Sequence, residues 1–459
     1  MQAIKMFLIL FKNYFQARKV VKRNDEKELR EFKDKLCKEI FDFLKIEVEI
    51  INKEYLDEVD SSIIMSNHKD NLDIFLLIYA IKNPINFLAK KELSRIPILN
   101  QYMKLSDTYF INRDSSRQGV KVLSQVVKDV NDFDNKNVVI FPEGTRAKSD
   151  LLNDFNIGLF SIVKKCNKKI IPVYIDGNSK CKKIKVIIGK PFNVKDMDLK
   201  KTFDLKEYVF NSISTLKKEY AINKTKYNLL GLGDSITFGI DCYEKVSDGF
   251  FNRFAMHLDN EGMLENKYNY AIPSINSDDF LNLLENNNYA YLFEKRMINY
   301  LKKDIFEKTL NDNELRLNQV IKKSDVILMS CGANDLLEVG YEAKGEKAKL
   351  EKEYYQVASK IMKSIELIKL INSKVKIIYI GIYYPYPHIK ALAQFDTIKD
   401  FDQILKTKLE KSNVIYLSIY NEIKENKKTF LLNKRNIHLS DDGYKYLNDE
   451  IIKKACEIL

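Results

Sequence analysis

A histidine and an aspartate lie five positions apart in the segment SNHKDNLDIF, which covers residues 66–75. His68 follows a short apolar run that is typical of a buried strand, and Asp73 begins an apolar run that is typical of a helix. An aspartate at this distance can bind one ring nitrogen and leave the other free to accept a proton. The pair predicts a general base that activates a hydroxyl group, and a purely structural pairing is the alternative.

Charged side chains also follow two other strand-like runs of the N-terminal half. The run YFIN is followed by Arg113, and NVVIFP is followed by the segment EGTR. That segment contains Glu143, Gly144, Thr145 and Arg146. Arginines that converge beside a histidine–aspartate pair suit a phosphate-bearing substrate, because the guanidinium group matches the geometry of phosphate oxygens.

A second set of reactive side chains lies in the C-terminal half. Ser235 lies in GLGDSITFG, after an apolar run and between glycines, where a serine can be exposed as a nucleophile. A helix cap or a phosphate-binding loop is the alternative interpretation of such a turn. Asn334 in SCGAND can donate to an oxyanion, and His438 in NIHLSDDGY is a candidate base. Because parallel strands end at one sheet edge, we expect these three side chains to meet there.

The elements that must position these side chains alternate between strand-like and helix-like patterns. Apolar runs that lead into SNH, PEG, GDS and GAND are separated by amphipathic segments, which predicts layered α/β folds with parallel strands. A chain of 459 residues suits two or three domains. We expect two, over residues 1–222 and 223–459, with the boundary near Asn223.

Composition narrows the class of protein further. Apolar residues make up 45% of the chain and charged residues 31%, as in ordinary globular proteins. No run approaches the roughly 20 apolar residues that span a bilayer. The six cysteines are scattered without CxxC spacing, which argues against a metal or disulfide framework and fits a reducing cytoplasm. We expect no metal and no bound cofactor.

The positive net charge of +12 is concentrated in the N-terminal half. The first 23 residues contain six basic residues and no acid. Apolar residues recur there at helical spacing, at Ile4, Phe7, Leu8, Phe11 and Phe15. A basic amphipathic helix of this kind can lie on an anionic membrane surface, and docking on its own domain is the alternative. No nucleic-acid reader motif accompanies the charge, so we expect no nucleic-acid partner.

The N-terminal blocks resemble a known family in content and order. NHxxxxD with His68 and Asp73, the block ending in Arg113, FPEGTR and an IPV strand are similar to the glycerolipid acyltransferases, which include lysophosphatidic acid acyltransferases. The segment FLAKKELSRIP, which contains Lys90, also resembles that family. The resemblance covers roughly residues 60–195. It implies that His68 deprotonates an acceptor hydroxyl, which attacks the thioester of acyl-CoA or acyl-carrier protein.

The same resemblance implies the other members of this site. Asp73 would orient the base, and the two arginines would hold the acceptor phosphate in a pocket arranged by Glu143. Gly144 permits close backbone approach. The implied substrate-binding residues are Lys90, Arg113, Glu143, Gly144, Thr145 and Arg146. Many relatives have Lys in an FKxG segment where this chain has Asn156, which leaves the acceptor headgroup open.

The C-terminal blocks resemble the GDSL-type lipases and esterases, also called SGNH hydrolases. The similar blocks are GDS, NYAIPSINS, GAND and HLSDDGY, over roughly residues 226–455. The resemblance implies a flavodoxin-like three-layer α/β/α fold with a parallel sheet, Ser235 as nucleophile and His438 as base. The backbone amides of Ser235 and Ser274 and the side chain of Asn334 would form the oxyanion hole.

Two departures from that pattern concern the chemistry. Ser274 stands where the family normally has glycine, and Arg435 stands three residues before His438, where the family usually has aspartate. A neutral amide, such as that of Asn436, or a backbone carbonyl would then orient His438. Reduced activity or a non-hydrolytic binding domain are the outcomes to distinguish.

These interpretations predict a bifunctional lipid enzyme. The first domain would acylate a lysophospholipid such as 1-acyl-glycerol 3-phosphate to phosphatidic acid, and the second would be a serine esterase or lysophospholipase, together able to remodel phospholipids. The alternative is an acyltransferase for a non-phosphate lyso-lipid with a non-hydrolytic second domain. We expect a cytoplasmic protein, peripheral on the inner face of the cell membrane.

Overall fold

The computed structural model describes most of the chain. The described residues are 2–56, 59–81, 83–112, 116–197, 199, 201–243, 245–298, 300–342, 347–383, 397–432 and 437–459. They divide into two compact units. The first comprises Met1–Thr225 with Asn260–Gly262 and Leu459, and the second comprises Lys226–Asp259 with Met263–Ile458.

The first unit is built from helices and strands in alternation. Its described helices are α1 (Gln2–Arg23), α2 (Glu26–Leu44), α3 (Asp73–Ala80), α4 (Pro97–Lys104), α5 (Ser116–Asp132), α6 (Ile157–Val163) and α7 (Thr202–Tyr220). Its described strands are β1 (Glu47–Ile51), β2 (Ser62–Ser66), β3 (Ile85–Lys90), β4 (Tyr109–Ile111), β5 (Asn137–Ile140), β6 (Lys169–Asp176), β7 (Lys183–Ile188) and β8 (Phe192–Asn193).

The described strands of the first unit form one mostly parallel sheet. Its order is β1-β7-β6-β2-β5-β3-β4, and β8 pairs with β6 outside this order. Strand β2 is parallel to β5 and β6, and β3 is parallel to β5 and β4. Strands β7 and β8 are antiparallel to β6. The carboxyl ends of β2, β3, β4 and β5 therefore lie at one edge, where loops commonly present functional groups.

Local sequence explains the element that leads to His68. Strand β2 reads SIIMS and is buried at every position, as expected for a central strand of a parallel sheet covered on both faces. The chain then leaves the sheet through a short polar loop. Helix α3 begins at Asp73, and the apolar sequence IFLLIYA that follows buries residues such as Leu76 and Leu77 in the core.

Helix α1 has two apolar faces. One face packs against α2 and α4 and buries Met6, Ile9, Leu10, Ala17 and Val20. The other is exposed and contains Ile4, Phe7, Leu8, Phe11 and Phe15. Phe15 is 78% exposed, which is far more than an aromatic ring on a core-facing helix surface. Among the described helices, none is both long enough and apolar enough to cross a membrane.

The second unit has longer connections between its described strands and more described helices. Its described helices are α8 (Ser235–Phe238), α9 (Phe250–Asn260), α10 (Ser277–Asn286), α11 (Tyr289–Met297), α12 (Lys303–Asp312), α13 (Leu317–Lys323), α14 (Ala333–Glu342), α15 (Lys347–Ile371), α16 (Thr397–Glu410), α17 (Tyr420–Glu425), α18 (Lys427–Phe430) and α19 (Asp441–Ile458). Its described strands are β9 (Tyr227–Gly233), β10 (Leu264–Asn269), β11 (Val326–Ser330), β12 (Lys376–Ile380) and β13 (Ile415–Leu417).

The strands described in this unit are all parallel, in the order β10-β9-β11-β12-β13. Counted along the chain, this is the flavodoxin-like order 2-1-3-4-5. The predicted α/β fold class is therefore confirmed for both units. The strand order reverses between β9 and β11, which is the position where such sheets bind ligands. Ser235 follows β9 and Asn334 follows β11, so both lie at this position.

Candidate active sites

His68 lies in the loop between β2 and α3, at the carboxyl edge of the first sheet. Its Nδ1 lies 2.8 Å from Oδ2 of Asp73. The same oxygen accepts the backbone amides of Lys69 at 2.7 Å and Asp70 at 2.8 Å. The Asp73 side chain is fully buried, whereas 19% of the His68 side chain is exposed. The carboxylate therefore holds Nδ1 and leaves Nε2 as the nitrogen for proton transfer.

Two further contacts fix the His68 loop. The buried side chain of Asn67 donates to the carbonyl of Ile175 at 3.0 Å and accepts the amide of Ile175 at 2.7 Å. It thereby extends the hydrogen-bonded ladder between β2 and β6 beyond the last residue of β2. The ring of Phe141 stacks on the His68 ring, with 4.1 Å between centroids and 18° between planes. The imidazole is thus oriented before a substrate arrives.

The Glu143 carboxylate is buried and joins two loops of the site. Its Oε1 accepts the backbone amide of His68 at 2.8 Å, and its Oε2 accepts that of Asn153 at 3.1 Å. Burial raises the pKa of Glu143 to about 7, although these hydrogen bonds oppose the shift. The next residue, Gly144, has φ of 69°, and its amide donates to Phe141 in a tight turn. Glu143 thus shapes the site through backbone groups, in line with an arranging role.

The other predicted substrate-binding residues lie toward solvent. Thr145 and Arg146 are exposed after the Glu143 turn, and Nη1 of Arg146 donates to Oδ1 of Asn71 at 3.1 Å. Lys90 is exposed at the carboxyl end of β3. Arg113 lies outside the described residues. Lys90 and Arg146 give the exposed rim of this edge a positive charge, which suits an anionic headgroup.

Lys69 is a buried charge that the sequence did not single out, although it directly follows His68. Its Nζ lies 3.3 Å from the hydroxyl of Tyr174 and 3.4 Å from Oδ1 of Asp150. Burial lowers the pKa of Lys69, but Tyr174, Asp150 and Asp176 more than offset that effect and leave it above its ordinary value. The ammonium group therefore stays charged beneath the loop and ties it to the core.

An apolar groove with a volume of about 300 Å³ begins at the His68 loop. Phe141, which stacks on His68, forms part of its wall, and Asn71 lies at the same end. Helices α1, α2, α3 and α4 supply most of the other walls. Representative lining residues are Leu10, Leu36, Ile74, Ile78, Leu99 and Met103. A groove of this size and chemistry can hold an aliphatic chain next to the base.

Asn156, the departure from the family pattern, has a local structural role. It is the N-cap of α6, and its Oδ1 accepts the amide of Gly158 at 2.9 Å. A lysine cannot accept this hydrogen bond, whereas asparagine is among the best N-cap residues. The substitution therefore exchanges a positive charge for a helix cap.

In the second unit, Ser235 and His438 form a hydrogen-bonded pair. Nε2 of His438 lies 2.7 Å from Oγ of Ser235. Ser235 is the first residue of α8, and the preceding Asp234 caps this helix by accepting the amide of Ile236 at 3.1 Å. Burial lowers the pKa of His438 to about 4, and a smaller effect of Asp241 raises it. The imidazole is therefore neutral at physiological pH and able to accept the serine proton.

The turn before Ser235 requires glycine. Gly233 has φ of 117°, and a Cβ built on it would lie 1.6 Å from the carbonyl oxygen of Ser330. This close approach lets Ser330 accept the amide of Asp234 at 3.0 Å and donate its hydroxyl to Oδ1 of Asp234 at 2.5 Å. The serine is thus held at the end of β9 by the neighbouring strand β11.

The predicted oxyanion-hole residues come from two other loops. Nδ2 of Asn334 donates to the carbonyl of Ile275 at 2.9 Å, so it is fixed beside the block that contains Ser274. Ser274 has φ of 64°, a left-handed conformation that favours glycine, and its side chain is exposed. Ser274 therefore keeps a left-handed backbone conformation at the position where the family normally has glycine. Arg435 and Asn436 lie outside the described residues.

The cavity beside Ser235 is smaller than the groove of the first unit. Its volume is about 40 Å³ among the described residues. Apolar side chains form most of its wall, including Leu336, Leu337, Ile380, Ile382, Ile398 and Ile437. Tyr383 also lines it and donates its hydroxyl to the carbonyl of Ile437 at 2.7 Å, which anchors the residue before His438.

The two folds and their histidine sites define an α/β enzyme with two separate centres. Residues 47–176 match the family model described as Acyltransferase. Residues 232–446 match the model described as GDSL-like Lipase/Acylhydrolase family. The chain therefore contains one domain of each family, and the two predicted resemblances are confirmed.

Similar proteins support the first match. Over 139 residues the chain is 31% identical to a 1-acyl-sn-glycerol-3-phosphate acyltransferase of Saccharomyces cerevisiae, covering 30% of this chain and 45% of that protein. It is 26% identical over 181 residues to the enzyme of the same name from Borreliella burgdorferi, covering 39% and 72%. The chain thus spans less than half the length of the yeast relative.

A solved structure resembles the second unit. The lipase Lip_vut3 from a goat rumen metagenome is 21% identical, and the match covers 50% of this chain and 97% of that chain, with a TM-score of 0.36.

Proposed function

We propose that the first unit transfers an acyl chain from acyl-CoA or acyl-carrier protein to a lysophospholipid, most simply 1-acyl-glycerol 3-phosphate. The product would be phosphatidic acid. The observation that carries this proposal is the His68–Asp73 pair at the mouth of an apolar groove. The names of the yeast and Borreliella relatives refer to the same acceptor.

The proton path follows from the geometry of His68. Nε2 takes the proton of the acceptor hydroxyl, whose oxygen attacks the carbonyl carbon of the thioester. Asp73, hydrogen-bonded to Nδ1, stabilises the imidazolium that forms. The tetrahedral intermediate then collapses, the carbon–sulfur bond breaks, and the thiolate leaves with the proton returned by His68. No acyl-enzyme is needed.

In this proposal the groove binds the acyl chain, and the exposed basic residues bind the phosphate of the acceptor. The acyl chain lies along the groove between α1, α2, α3 and α4, with its carbonyl carbon toward Phe141 and His68. Arg146 and Lys90, both exposed at the same sheet edge, bind the acceptor phosphate. Arg113 joins them by its position in the family motif. Glu143 keeps the His68 loop and the Arg146 loop in register through its two backbone contacts.

An anionic membrane surface is the proposed partner of α1. Its exposed face presents Phe7, Leu8, Phe11 and Phe15, although the same helix already buries another apolar face in the core. The basic residues that flank this face favour anionic lipid. Since α1 also lines the groove, attachment there would bring a lipid substrate to the site. We propose a cytoplasmic protein bound to the inner face of the cell membrane.

For the second unit we propose ester hydrolysis by Ser235. His438 Nε2 takes the Ser235 proton while Oγ bonds to the ester carbonyl carbon. The oxyanion is stabilised by the backbone amides of Ser235 and Ser274 and by the side chain of Asn334. His438 then gives the proton to the leaving alcohol, and water releases the acid from the acyl-serine by the same steps. The 2.7 Å contact between Ser235 and His438 supports hydrolysis over a purely binding role.

Phospholipid remodelling would require this second site to cleave a long-chain ester. The remodelling hypothesis is motivated by the presence of both centres on one chain. The length of the acyl group that the Ser235 site cleaves therefore distinguishes remodelling from two activities on separate substrates. Cleavage of lysophosphatidylcholine by the purified protein, compared with cleavage of an acetyl ester, distinguishes these cases. Activity on the acetyl ester alone would contradict remodelling.

The acceptor is tested by supplying two candidates in parallel. The purified protein is incubated with oleoyl-CoA, or with oleoyl-acyl-carrier protein, and either lysophosphatidic acid or monoacylglycerol in anionic vesicles. We expect phosphatidic acid from the first acceptor, because the positive side chains of Arg146 and Lys90 attract an anionic headgroup. Faster formation of diacylglycerol would instead favour the non-phosphate acceptor suggested by Asn156. No product from either acceptor with either donor would contradict the proposed transferase function.

A further inference from the structure

The segment that contains Ser274 forms a tight turn over residues 272–275. The backbone amide of Ile275 donates to the carbonyl of Ile272 at 3.1 Å and closes the turn. Pro273 occupies its second position, and Ser274, with φ of 64°, occupies its third. A type II turn has this arrangement and favours glycine at the third position, because a Cβ disfavours positive φ. Ser274 is therefore held in a conformation that its own side chain opposes.

The two ends of this turn are fixed to other loops of the Ser235 site. The amide of Ile272 donates to the carbonyl of Gly233 at 2.7 Å, two residues before the nucleophile. The carbonyl of Ile275 accepts Nδ2 of Asn334 at 2.9 Å. These contacts place the ends of the turn, whereas the Ser274 backbone between them needs a contact of its own.

Arg296, on α11, supplies that contact. Its Nη1 donates to the carbonyl of Ser274. Its Nε donates to Oδ2 of Asp279 at 3.1 Å, and its Nη2 forms an ion pair with the same carboxylate. Asp279 belongs to the first turn of α10, and only 20% of the Arg296 side chain is exposed. The planar guanidinium group is therefore oriented by one acid while it binds the Ser274 carbonyl.

We propose that Arg296 is a positioning residue of the hydrolase site, which holds the Ser274 turn so that the Ser274 amide stays directed at the oxyanion. The inference rests on the proposed hydrolase function of the second unit. A serine released at its carbonyl lowers its backbone energy by relaxing to negative φ, which turns its amide away. Glycine has no such preference. Arg296 thus compensates for the departure from glycine, from a position 22 residues further along the chain.

The test uses substitutions in the full chain. Arg296→Met removes the guanidinium group, and Arg296→Lys keeps a positive charge opposite Asp279 without the planar fork. Arg296→Met is also combined with Ser274→Gly and compared with Ser274→Gly alone. Lys363→Met is the matched control, because it removes a cation that pairs with Glu285, on the same helix as Asp279, at 2.7 Å.

Each protein is assayed for kcat and KM on p-nitrophenyl acetate and for its melting temperature. We expect kcat of Arg296→Met to fall by about tenfold with KM little changed, because the oxyanion forms only in the transition state. Arg296→Lys should lie between Arg296→Met and the wild type, and Lys363→Met should match the wild type. In the Ser274→Gly background, Arg296→Met should lower kcat by less than about threefold, because glycine keeps the left-handed conformation unaided.

A kcat of Arg296→Met equal to that of Lys363→Met would overturn the role of Arg296 and leave the hydrolase proposal intact. An equal fall of kcat with and without Ser274→Gly would also overturn it, because the arginine would then act on something other than this turn. If the melting curve shows that Arg296→Met does not fold, Arg296→Lys in the two backgrounds gives the same comparison.

The wild type separates failure of this inference from failure of the proposed function. Its Ser235 is labelled with a fluorophosphonate in the same preparation that is used for the ester assay. If the wild type neither hydrolyses the ester nor reacts with the phosphonate, the hydrolase proposal and the role of Arg296 fail together.

Discussion

The two histidine sites of this chain solve the same chemical problem in opposite ways. Nδ1 of His68 is bound to Asp73, and its other nitrogen is left for a hydroxyl that must arrive with a substrate. His438 already holds its hydroxyl, the Oγ of Ser235, at 2.7 Å. The first site therefore needs a preorganised base and space, whereas the second needs a tight internal contact. This is the difference expected between the proposed transfer to an external acceptor and the proposed attack by the protein's own serine.

The cavities follow the same division. The first site opens onto an apolar groove of about 300 Å³, and the second onto a cavity of about 40 Å³ among the described residues. The backbone near each site differs as well. Gly144 beside the first base has open space where a Cβ would lie, but Gly233 beside the serine is pressed against Ser330. The second site is thus far less tolerant of added atoms.

The largest expected effect on stability comes from substitution of the glycine near each site. Gly233→Ala places a Cβ against a backbone oxygen and should destabilise the second unit by more than about 3 kcal/mol. Gly144→Ala, at positive φ but in open space, should cost only about 1 kcal/mol. Thermal unfolding and Ser235 labelling measure both variants. Wild-type labelling and stability in Gly233→Ala would contradict the close packing of Gly233 against the Ser330 carbonyl.

The next effect concerns the groove. Ile78 lies on α3, more than one turn beyond Asp73, and lines the groove. Ile78→Phe should shorten the groove and reduce transfer from long-chain acyl-CoA by about tenfold relative to shorter donors. Ile78→Ala should shift the preference toward longer chains. Identical chain-length profiles for both variants and the wild type would place the acyl chain elsewhere.

A smaller effect concerns the buried acid of the first site. The pKa of Glu143 is raised to about 7 by burial, so the folded state holds its proton more tightly than the unfolded state does. Its contribution to stability is therefore present below the unfolded pKa and is lost as pH rises toward 7. The wild type should lose stability over that interval relative to Glu143→Gln, in urea titrations at several pH values. Parallel stability–pH curves would contradict this.

The smallest effect concerns the left-handed serine of the second site. Ser274→Gly removes a Cβ from a residue with φ of 64°. The relief of backbone strain exceeds the added chain entropy by a margin of about 0.5 kcal/mol, so the variant should unfold at a slightly higher temperature. Ser235 labelling should be unchanged. A lower melting temperature would mean that the Ser274 side chain makes a stabilising contact.

The sequence was informative where function depends on local spacing. The five-residue step from His68 to Asp73 spans one loop and the first turn of α3, so the pair could be predicted without tertiary structure. The resemblance to the GDSL-type hydrolases implied the flavodoxin-like fold of the second unit, whereas the order of its strands came only from the structure. The α/β class and both family resemblances are confirmed, while the catalytic and binding roles of the individual residues stay predictions.

Other features depend on contacts between distant parts of the chain. The groove is assembled from α1, α2, α3 and α4, and no local pattern shows that Leu10, Leu36 and Leu99 share one cavity. The contact of Glu143 with the amide of His68 joins two loops 75 residues apart. The sequence pattern links Asn156 to the choice of acceptor headgroup, whereas in the structure its side chain caps α6. Burial and long-range partners decide these cases, and a single sequence does not contain them.

The central claim is that one chain contains two independent catalytic centres. Substitution of one catalytic residue at a time, with both activities measured in each variant, tests this claim most directly. Wild type, His68→Ala and Ser235→Ala are each assayed for phosphatidic acid formation from lysophosphatidic acid and oleoyl-CoA, and for hydrolysis of p-nitrophenyl acetate. We predict that His68→Ala loses transfer by roughly 10²-fold or more and retains hydrolysis, with the reverse in Ser235→Ala. Loss of transfer in Ser235→Ala, or its retention in His68→Ala, would contradict the account.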